Sequence, residues 1–237
     1  MKKLSIIIPC YNEEDFVLSI LHKIDSVALP MSMTKEIIIV DDKSTDQTLK
    51  LISEYAGITP HAQLICHEKN KGKGAAIRAA LKKATGDVII IQDADLEYNP
   101  NDYNKLLQPI LDGHADVVYG SRFTSNGPRR VLFFFHTIGN KFLTLLSNIF
   151  TGLNLTDMET GYKMFSTDIL KSISLKENRF GFEPEVTAKI SRIKNIRIYE
   201  VGIAYYGREY HEGKKINWRD GLWAFWCIIK YNIFQSR

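Results

Sequence analysis

The stretch IIIQDADLEYNP, residues 89–100, decides how the rest of the chain is read. Three β-branched apolar residues in a row suit a strand covered on both faces, since a half-exposed strand would alternate. The run then meets three acids, Asp93, Asp95 and Glu97. Carboxylates at the end of a buried strand need something to hold.

Working outward, short apolar runs alternate with helical periodicity. Strands are expected at 6–8, 36–40, 63–67, 87–92 and 115–119. Helices are expected at 13–27, from a Ser44 or Thr45 cap to 55, at 71–83 and from Pro100 onward. This alternation implies an α/β class, a mostly parallel sheet flanked by helices. In such sheets ligands bind outside the carboxyl ends of the strands. Each expected strand end carries polar or glycine-rich sequence: PCYNE at 9–13, DDKSTD at 41–46, NKGKG at 70–74, DADLE at 93–97 and GSR at 120–122. Turns use such residues anyway, but five of these stretches on one edge weigh towards a ligand site. Beyond 122 the pattern loosens. A long apolar helix is expected over 131–151, a strand at 161–165, a helix at 183–193, strands at 196–201 and 203–206, and an amphipathic final helix. No repeat or linker divides the chain, so 1–237 reads as a single domain.

Composition bounds the function. The 237 residues are 45% hydrophobic and 24% charged, with a formal charge of +4. Mild basicity suits phosphorylated ligands or an anionic membrane surface and does not demand nucleic acid. Cys10, Cys66 and Cys227 are odd in number and lack metal-ligand spacing; they read as reduced core residues, hence cytoplasmic. The start, MKKLSIIIP, reads as a first strand rather than a signal peptide. No run reaches the ~20 apolar residues of a membrane span. Residues 131–156, with Lys141 as their one formal charge, and GLWAFWCII at 221–229 come partway.

The PCYNE turn can stack a base on Tyr11 while Glu13 takes a ribose or base hydrogen bond. Asp41 and Asp42 can do the same from the neighbouring strand. NKGKG is a poor dinucleotide fingerprint: its third glycine is replaced by Ile77 and it follows strand three. That speaks against an NAD-dependent dehydrogenase. Lys71, Lys73 and Arg78 still place positive charge near a helix N-terminus. Asp93 and Asp95 would point to opposite sides of an extended chain. One can hold a divalent cation while the other holds the ribose or a water on that cation, and Glu97 returns to the face of Asp95. Hard oxygen donors suit Mg²⁺ or Mn²⁺, which also bridges diphosphate oxygens. The competing reading is a solvated acidic loop capping the helix after Pro100.

PCYNE, IIIVDDKSTDQT, NKGKGAAIRAAL, QDADLEYNP and VVYGSR, in this order, resemble the inverting family 2 glycosyltransferases of GT-A fold. The nearest likeness is to their dolichyl-phosphate mannosyltransferase and polyprenyl-phosphate glycosyltransferase branch. TDMETGYK at 156–163 and YGREYHEGKKI at 206–216 resemble two further segments of that branch, with Arg208 and Lys214 keeping its six-residue spacing. The resemblance implies a Rossmann-like GT-A sheet with C-terminal amphipathic helices. Residues 1–122 would bind nucleotide sugar and metal, and 123–237 would meet the acceptor and the membrane interface. Pro9, Tyr11, Glu13, Val40 and Asp42 would line the nucleoside pocket, with Asp93 and Ala94 facing the nucleotide and Lys73 beside it. Asp95 and Glu97 would bind Mg²⁺ or Mn²⁺. Arg122, Arg208 and Lys214 would meet phosphates. Glu97 stands where mannosyl-transferring members often have Gln.

The implied reaction moves a hexose from a nucleoside diphosphate sugar (GDP-mannose or a UDP-sugar) to a polyprenyl or dolichyl phosphate. Arg129, Arg130 and Lys215 add cations. Asp95 and Arg122 would be catalytic, and Asp157, with Glu159, is the base candidate if the acceptor were a saccharide hydroxyl. Phe133, Phe134, Phe135, Ile138, Phe142, Leu145, Leu146 and Ile149 read either as a core helix or as an interfacial helix receiving the lipid. Trp218, Trp223, Phe225 and Trp226 beside cations favour peripheral attachment to the cytoplasmic face of a membrane, through a membrane partner or a homo-oligomer. Alternatives are transfer to a saccharide hydroxyl and a nucleotide-sugar-binding module without turnover.

Overall fold

The computed structural model describes residues 2–124, 130–131, 134–208 and 218–235. Its sheet has seven strands: β1 (Lys3–Cys10), β2 (Thr34–Asp41), β3 (Ala62–Cys66), β4 (Val88–Ile91), β5 (Val117–Ser121), β6 (Lys163–Ser166) and β7 (Ile198–Gly202). The order across the sheet is β3-β2-β1-β4-β6-β5-β7. β6 is antiparallel to both its neighbours, and every other pairing is parallel.

The unbroken isoleucine runs follow from cover on both faces. Ile6, Ile8, Ile37, Ile39 and Ile90 pack against α1 (Val17–Ser26), α2 (Thr48–Ile58) and α4 (Tyr103–Leu111). Their neighbours Ile7, Ile38, Val40, Ile89 and Ile91 pack on the opposite face. There they meet α3 (Lys73–Leu81), α6 (Thr167–Ser172), α7 (Phe182–Ile190) and α8 (Trp218–Ile229). Alternate side chains thus serve two cores, so neither face of a central strand calls for polar residues.

The differences from expectation have local causes. Helix α1 begins at Val17 rather than at 13, because the Phe16 and Val17 amides both donate to the Glu13 carbonyl in a turn. The expected strand at 203–206 is reduced to an isolated bridge between Tyr98 and Tyr205. Helix α6 follows β6 with no gap and had no counterpart among the expected elements.

The apolar stretch after 131 becomes α5 (Phe134–Thr151), which packs against α7 and α8. Among the described residues only one side of it is covered. Phe135, Leu145 and Ile149 are exposed, as are Trp218, Leu222 and Phe225 on α8, and Phe142 stacks on Phe225 at 6.4 Å. Among the described residues no helix is long and apolar enough to cross a membrane.

Candidate functional site

The ends of β1 and β2 are laced together. Asn12 takes a left-handed conformation (φ 50°), its amide donates to Ser44 Oγ at 3.1 Å, and its Oδ1 accepts from the Thr45 amide at 2.8 Å. The Glu13 amide donates to Thr48 Oγ1 at 2.8 Å. Pro9 and Val40 are register partners on adjacent strands, and Tyr11 stands partly exposed beside them. Asp42 accepts from the amides of Lys71 (2.8 Å) and Gly72 (2.6 Å) and contacts His67 Nδ1 at 2.7 Å. Its carboxylate therefore holds the glycine-containing loop against β2.

Those glycines have a second reason. A Cβ on Gly74 would lie 2.3 Å from the Glu177 carbonyl, and one on Gly72 (φ 94°) 2.5 Å from that of Asn178. The close approach they permit is by the chain's own backbone. Arg78 donates to the Glu177 carbonyl and to Asn178, and the Asn178 carbonyl accepts from the Ala75 amide, so the guanidinium stays beside the first turn of α3. Lys73 turns inward: its ammonium lies 2.8 Å from Asp93 and 3.1 Å from Glu183. Burial opposes its charge, and the two carboxylates outweigh burial and hold it protonated.

After β4 the chain does not continue as a strand. Leu96 is left-handed (φ 62°), and the Glu97 amide donates to Asp95 Oδ1 at 3.1 Å. Asp95 and Glu97 therefore share a face through a turn, not through strand alternation. Both address Arg208: Asp95 Oδ2 is 3.0 Å from its Nη2, and Glu97 Oε1 accepts from its amide at 2.8 Å. Glu13 meets the same guanidinium at 3.3 Å, and Tyr205 donates to Glu97 Oε2 at 2.7 Å. Burial, then Glu97 and Asp93, push the Asp95 carboxyl up to about 7 against the pull of Arg208. Ala94, between the acids, is buried.

A guanidinium thus sits where three acids converge. Among the described residues no three His, Cys, Asp or Glu side chains form a ready metal cage. Asp95 and Glu97 are a pair, which fits a Mg²⁺-type ion that draws most of its ligands from phosphate and water. Their hard oxygen donors and mutual repulsion suit such a cation.

Because β6 runs antiparallel, it is its beginning that delivers residues to this edge. Asp157 is fully buried and accepts from Arg122 three times, from Nε (2.6 Å), Nη2 (2.7 Å) and the amide (3.0 Å). Arg122 also lies over the Tyr205 ring at 5.2 Å. Gly161 abuts Asp93, where a Cβ would come within 2.4 Å of Oδ2, and its amide donates to Tyr98 Oη at 2.8 Å. Tyr98 stacks on Tyr162 at 4.8 Å, and Gln92 accepts from the hydroxyls of Tyr103 and Tyr162. These tyrosines floor the site.

Three charged residues here had no role in the sequence reading beyond Glu159 as an occasional base. Lys163 is fully buried, bonds the Thr160 carbonyl and lies 5.0 Å from the Tyr119 ring. Burial pulls it down to about 8 despite Glu183 and Glu159. Glu183, at the start of α7, pairs with Lys73. Glu159 is pushed up to about 8, by burial first and by Glu183 next. A carboxylate following a strand is a local signal; a helix-borne Glu183 and an inverted strand's leading residues carry none. Lys214, Arg129 and Lys215 lie outside the described residues, and Arg130 bonds the Gly207 carbonyl at 2.8 Å.

Comparison with known proteins places this edge in context. The sequence profile of glycosyl transferase family 2 matches residues 5–174. A UDP-N-acetylglucosamine–dolichyl-phosphate N-acetylglucosaminyltransferase of Methanococcus voltae is 29% identical, over 96% of this chain and 95% of that protein. A dolichol-phosphate mannosyltransferase of Pyrococcus furiosus is 28% identical over 90% of this chain, which spans only 60% of that protein's length. Among solved structures, glucosyl-3-phosphoglycerate synthase of Mycobacterium tuberculosis, crystallised with Mn²⁺, UDP and phosphoglyceric acid, superposes with a TM-score of 0.75. It is 19% identical, and the match covers 98% of this chain and 79% of that one. At that identity the likeness speaks for the GT-A fold.

Proposed function

The chain belongs to glycosyl transferase family 2, and from that premise we propose that it moves a hexose from a nucleoside diphosphate sugar to a polyprenyl phosphate at a membrane surface. The carrying observation is one of placement. Acids (Asp93, Asp95, Glu97) and guanidinium groups (Arg122, Arg208) share the edge beyond the sheet, in a molecule whose α5 and α8 leave an apolar face uncovered. The names of the relatives point the same way.

In the proposed reaction a phosphate oxygen of the acceptor attacks the anomeric carbon. The bond from that carbon to the diphosphate breaks, and the nucleoside diphosphate leaves with the electron pair, inverting the centre. A phosphate monoester has its second pKa near ~6, so the nucleophile is already anionic at neutral pH. No protein base is required, in keeping with Asp157 being committed to Arg122. The pocket after β1 and β2, with Pro9, Tyr11, Glu13, Val40 and Asp42, would hold the nucleoside. Asp93, Ala94 and Lys73 would border the diphosphate. Arg122 and Arg208 would orient phosphate groups, together with Lys214. Asp95 and Glu97 would hold Mg²⁺ or Mn²⁺, which supplies charge neutralisation as the diphosphate departs. Peripheral attachment at the cytoplasmic face would follow from α5 and α8 resting in the interface.

The test is incubation with polyprenyl phosphate and a panel of UDP-, GDP- and dTDP-sugars, with Mg²⁺ or Mn²⁺. A lipid-linked sugar from one donor is expected, lost in Asp95→Ala. Absence of lipid-linked product from every donor would overturn the reading.

A further inference from the structure

We infer that Glu159 is the residue that accepts a hydrogen bond from a hydroxyl of the transferred sugar, and so helps to select the donor; this rests on the function proposed above. Five other acids of the site each have a cationic partner. Asp93 and Glu183 share Lys73, Asp95 and Glu97 share Arg208, and Asp157 has Arg122. Glu159 has none among the described residues, and its Oε1 is shut off from water with no hydrogen bond. Taken as a whole, the residue is only partly buried. A buried polar atom without a partner is rare enough in folded proteins to require a reason.

Position supplies the chemistry. Two residues on, Gly161 lies against Asp93, on the side assigned to the nucleotide. Glu183, whose charge acts on Glu159, reaches the same Asp93 through Lys73. Arg122, assigned to phosphate, and its partner Asp157 also act on Glu159. It therefore lies near both groups whose assigned ligands flank the migrating sugar. The nature of the ligand follows by elimination. The phosphates already have partners on the reading above, in the guanidinium groups of Arg122 and Arg208. A polyprenyl chain has no donor. The sugar alone brings hydroxyl hydrogens to that interval. A carboxyl group that accepts from one hydroxyl discriminates against donors that lack it or carry it with the opposite configuration, because the acceptor would then be left unpaired.

The experiment uses the full chain with the donor found active and its monodeoxy analogues, in wild type, Glu159→Ala and Glu159→Gln. One deoxy position is expected to lower wild-type kcat/KM by about 10- to 100-fold, the range for leaving a buried acceptor without its partner. In Glu159→Ala that penalty should shrink to about twofold, whereas Glu159→Gln, which keeps an acceptor oxygen, retains a substantial part of it. Affinity for the nucleoside diphosphate alone should not change. Equal loss for all donors with the deoxy penalty intact would overturn the inference and point to a base or a packing role. Calorimetric titration of the same donors without acceptor separates the two readings. Binding with a Glu159-dependent deoxy penalty but no transfer would sink the proposed reaction and leave the contact standing. If wild type binds no nucleotide sugar, both fall.

Discussion

Asp157→Asn removes the negative half of a buried ion pair and little volume. In the wild type, Asp157 is fully buried, the Arg122 side chain is 12% exposed, and three Arg122 donors converge on two carboxylate oxygens. Burial works against the guanidinium charge, and Asp157 outweighs it. An asparagine offers one acceptor oxygen and turns an NH₂ group towards a donor, so at least one Arg122 N–H loses its partner. Breaking a buried pair from one side typically costs about 3–5 kcal/mol, because the remaining charge is left uncompensated. For a chain of this size, at ~2–4 °C per kcal/mol, the midpoint of thermal unfolding should fall by about 10 °C. Urea unfolding at neutral pH provides the free energy directly. The double variant Arg122→Met/Asp157→Leu removes both charges and should recover most of the loss while remaining without activity. An Asp157→Asn protein within about 1 kcal/mol of wild type would refute the reasoning and show that another group balances Arg122.

Gly161→Ala sets a methyl carbon 2.4 Å from Asp93 Oδ2 and 3.0 Å from the Tyr98 ring, so the Asp93 carboxylate must shift on Lys73. Nucleotide-sugar kcat/KM should fall at least about tenfold, with an overpacking cost of about 1–3 kcal/mol in unfolding measurements. Asp116 is held below the usual carboxylate range chiefly by hydrogen bonds from Arg197, at 2.6 to 3.0 Å. Its contribution is full above the unfolded value of ~3.9 and is lost as pH falls through the lower folded value. Wild type and Asp116→Asn should therefore differ by a constant amount at neutral pH and converge in acid. Leu145→Glu with Ile149→Glu, both on the exposed side of α5, should reduce sedimentation with anionic vesicles several-fold and leave the melting temperature unchanged.

Much of this architecture was legible because parallel strands announce themselves. A buried strand is an apolar run, and the residues just after it lie at the edge where such sheets bind ligands; Asp42, Asp93, Asp95 and Arg122 were singled out in that way. The rule has a direction built into it, and β6 reverses the direction. Its leading end reaches the site, so Glu159 fell in what looked like a turn and Lys163 inside the expected strand at 161–165. Glu183 is on a helix that reaches the site only by packing, and no spacing relates it to Lys73. Two correct placements had a different cause from the one inferred. Asp95 and Glu97 share a face because Leu96 is left-handed, and Gly72 and Gly74 are small because residues 177–178 press on them. Such causes belong to tertiary contact and leave no local mark on the sequence.

The inverted insertion of β6 also governs how the molecule can be assembled. β4 and β5 never touch edge to edge, because β6 lies between them. Until residues 163–166 are in place, β4 presents an open apolar flank and β5 has nowhere to dock. During synthesis the first 120 or so residues would have to wait with that flank unpaired, a state prone to sticking to other chains. Pairing across some 75 residues is also slow, because loop closure comes before its reward. The strand that completes the site thus doubles as the latch of the fold, and a fragment cut near 122 should aggregate rather than behave as a free-standing nucleotide-binding half.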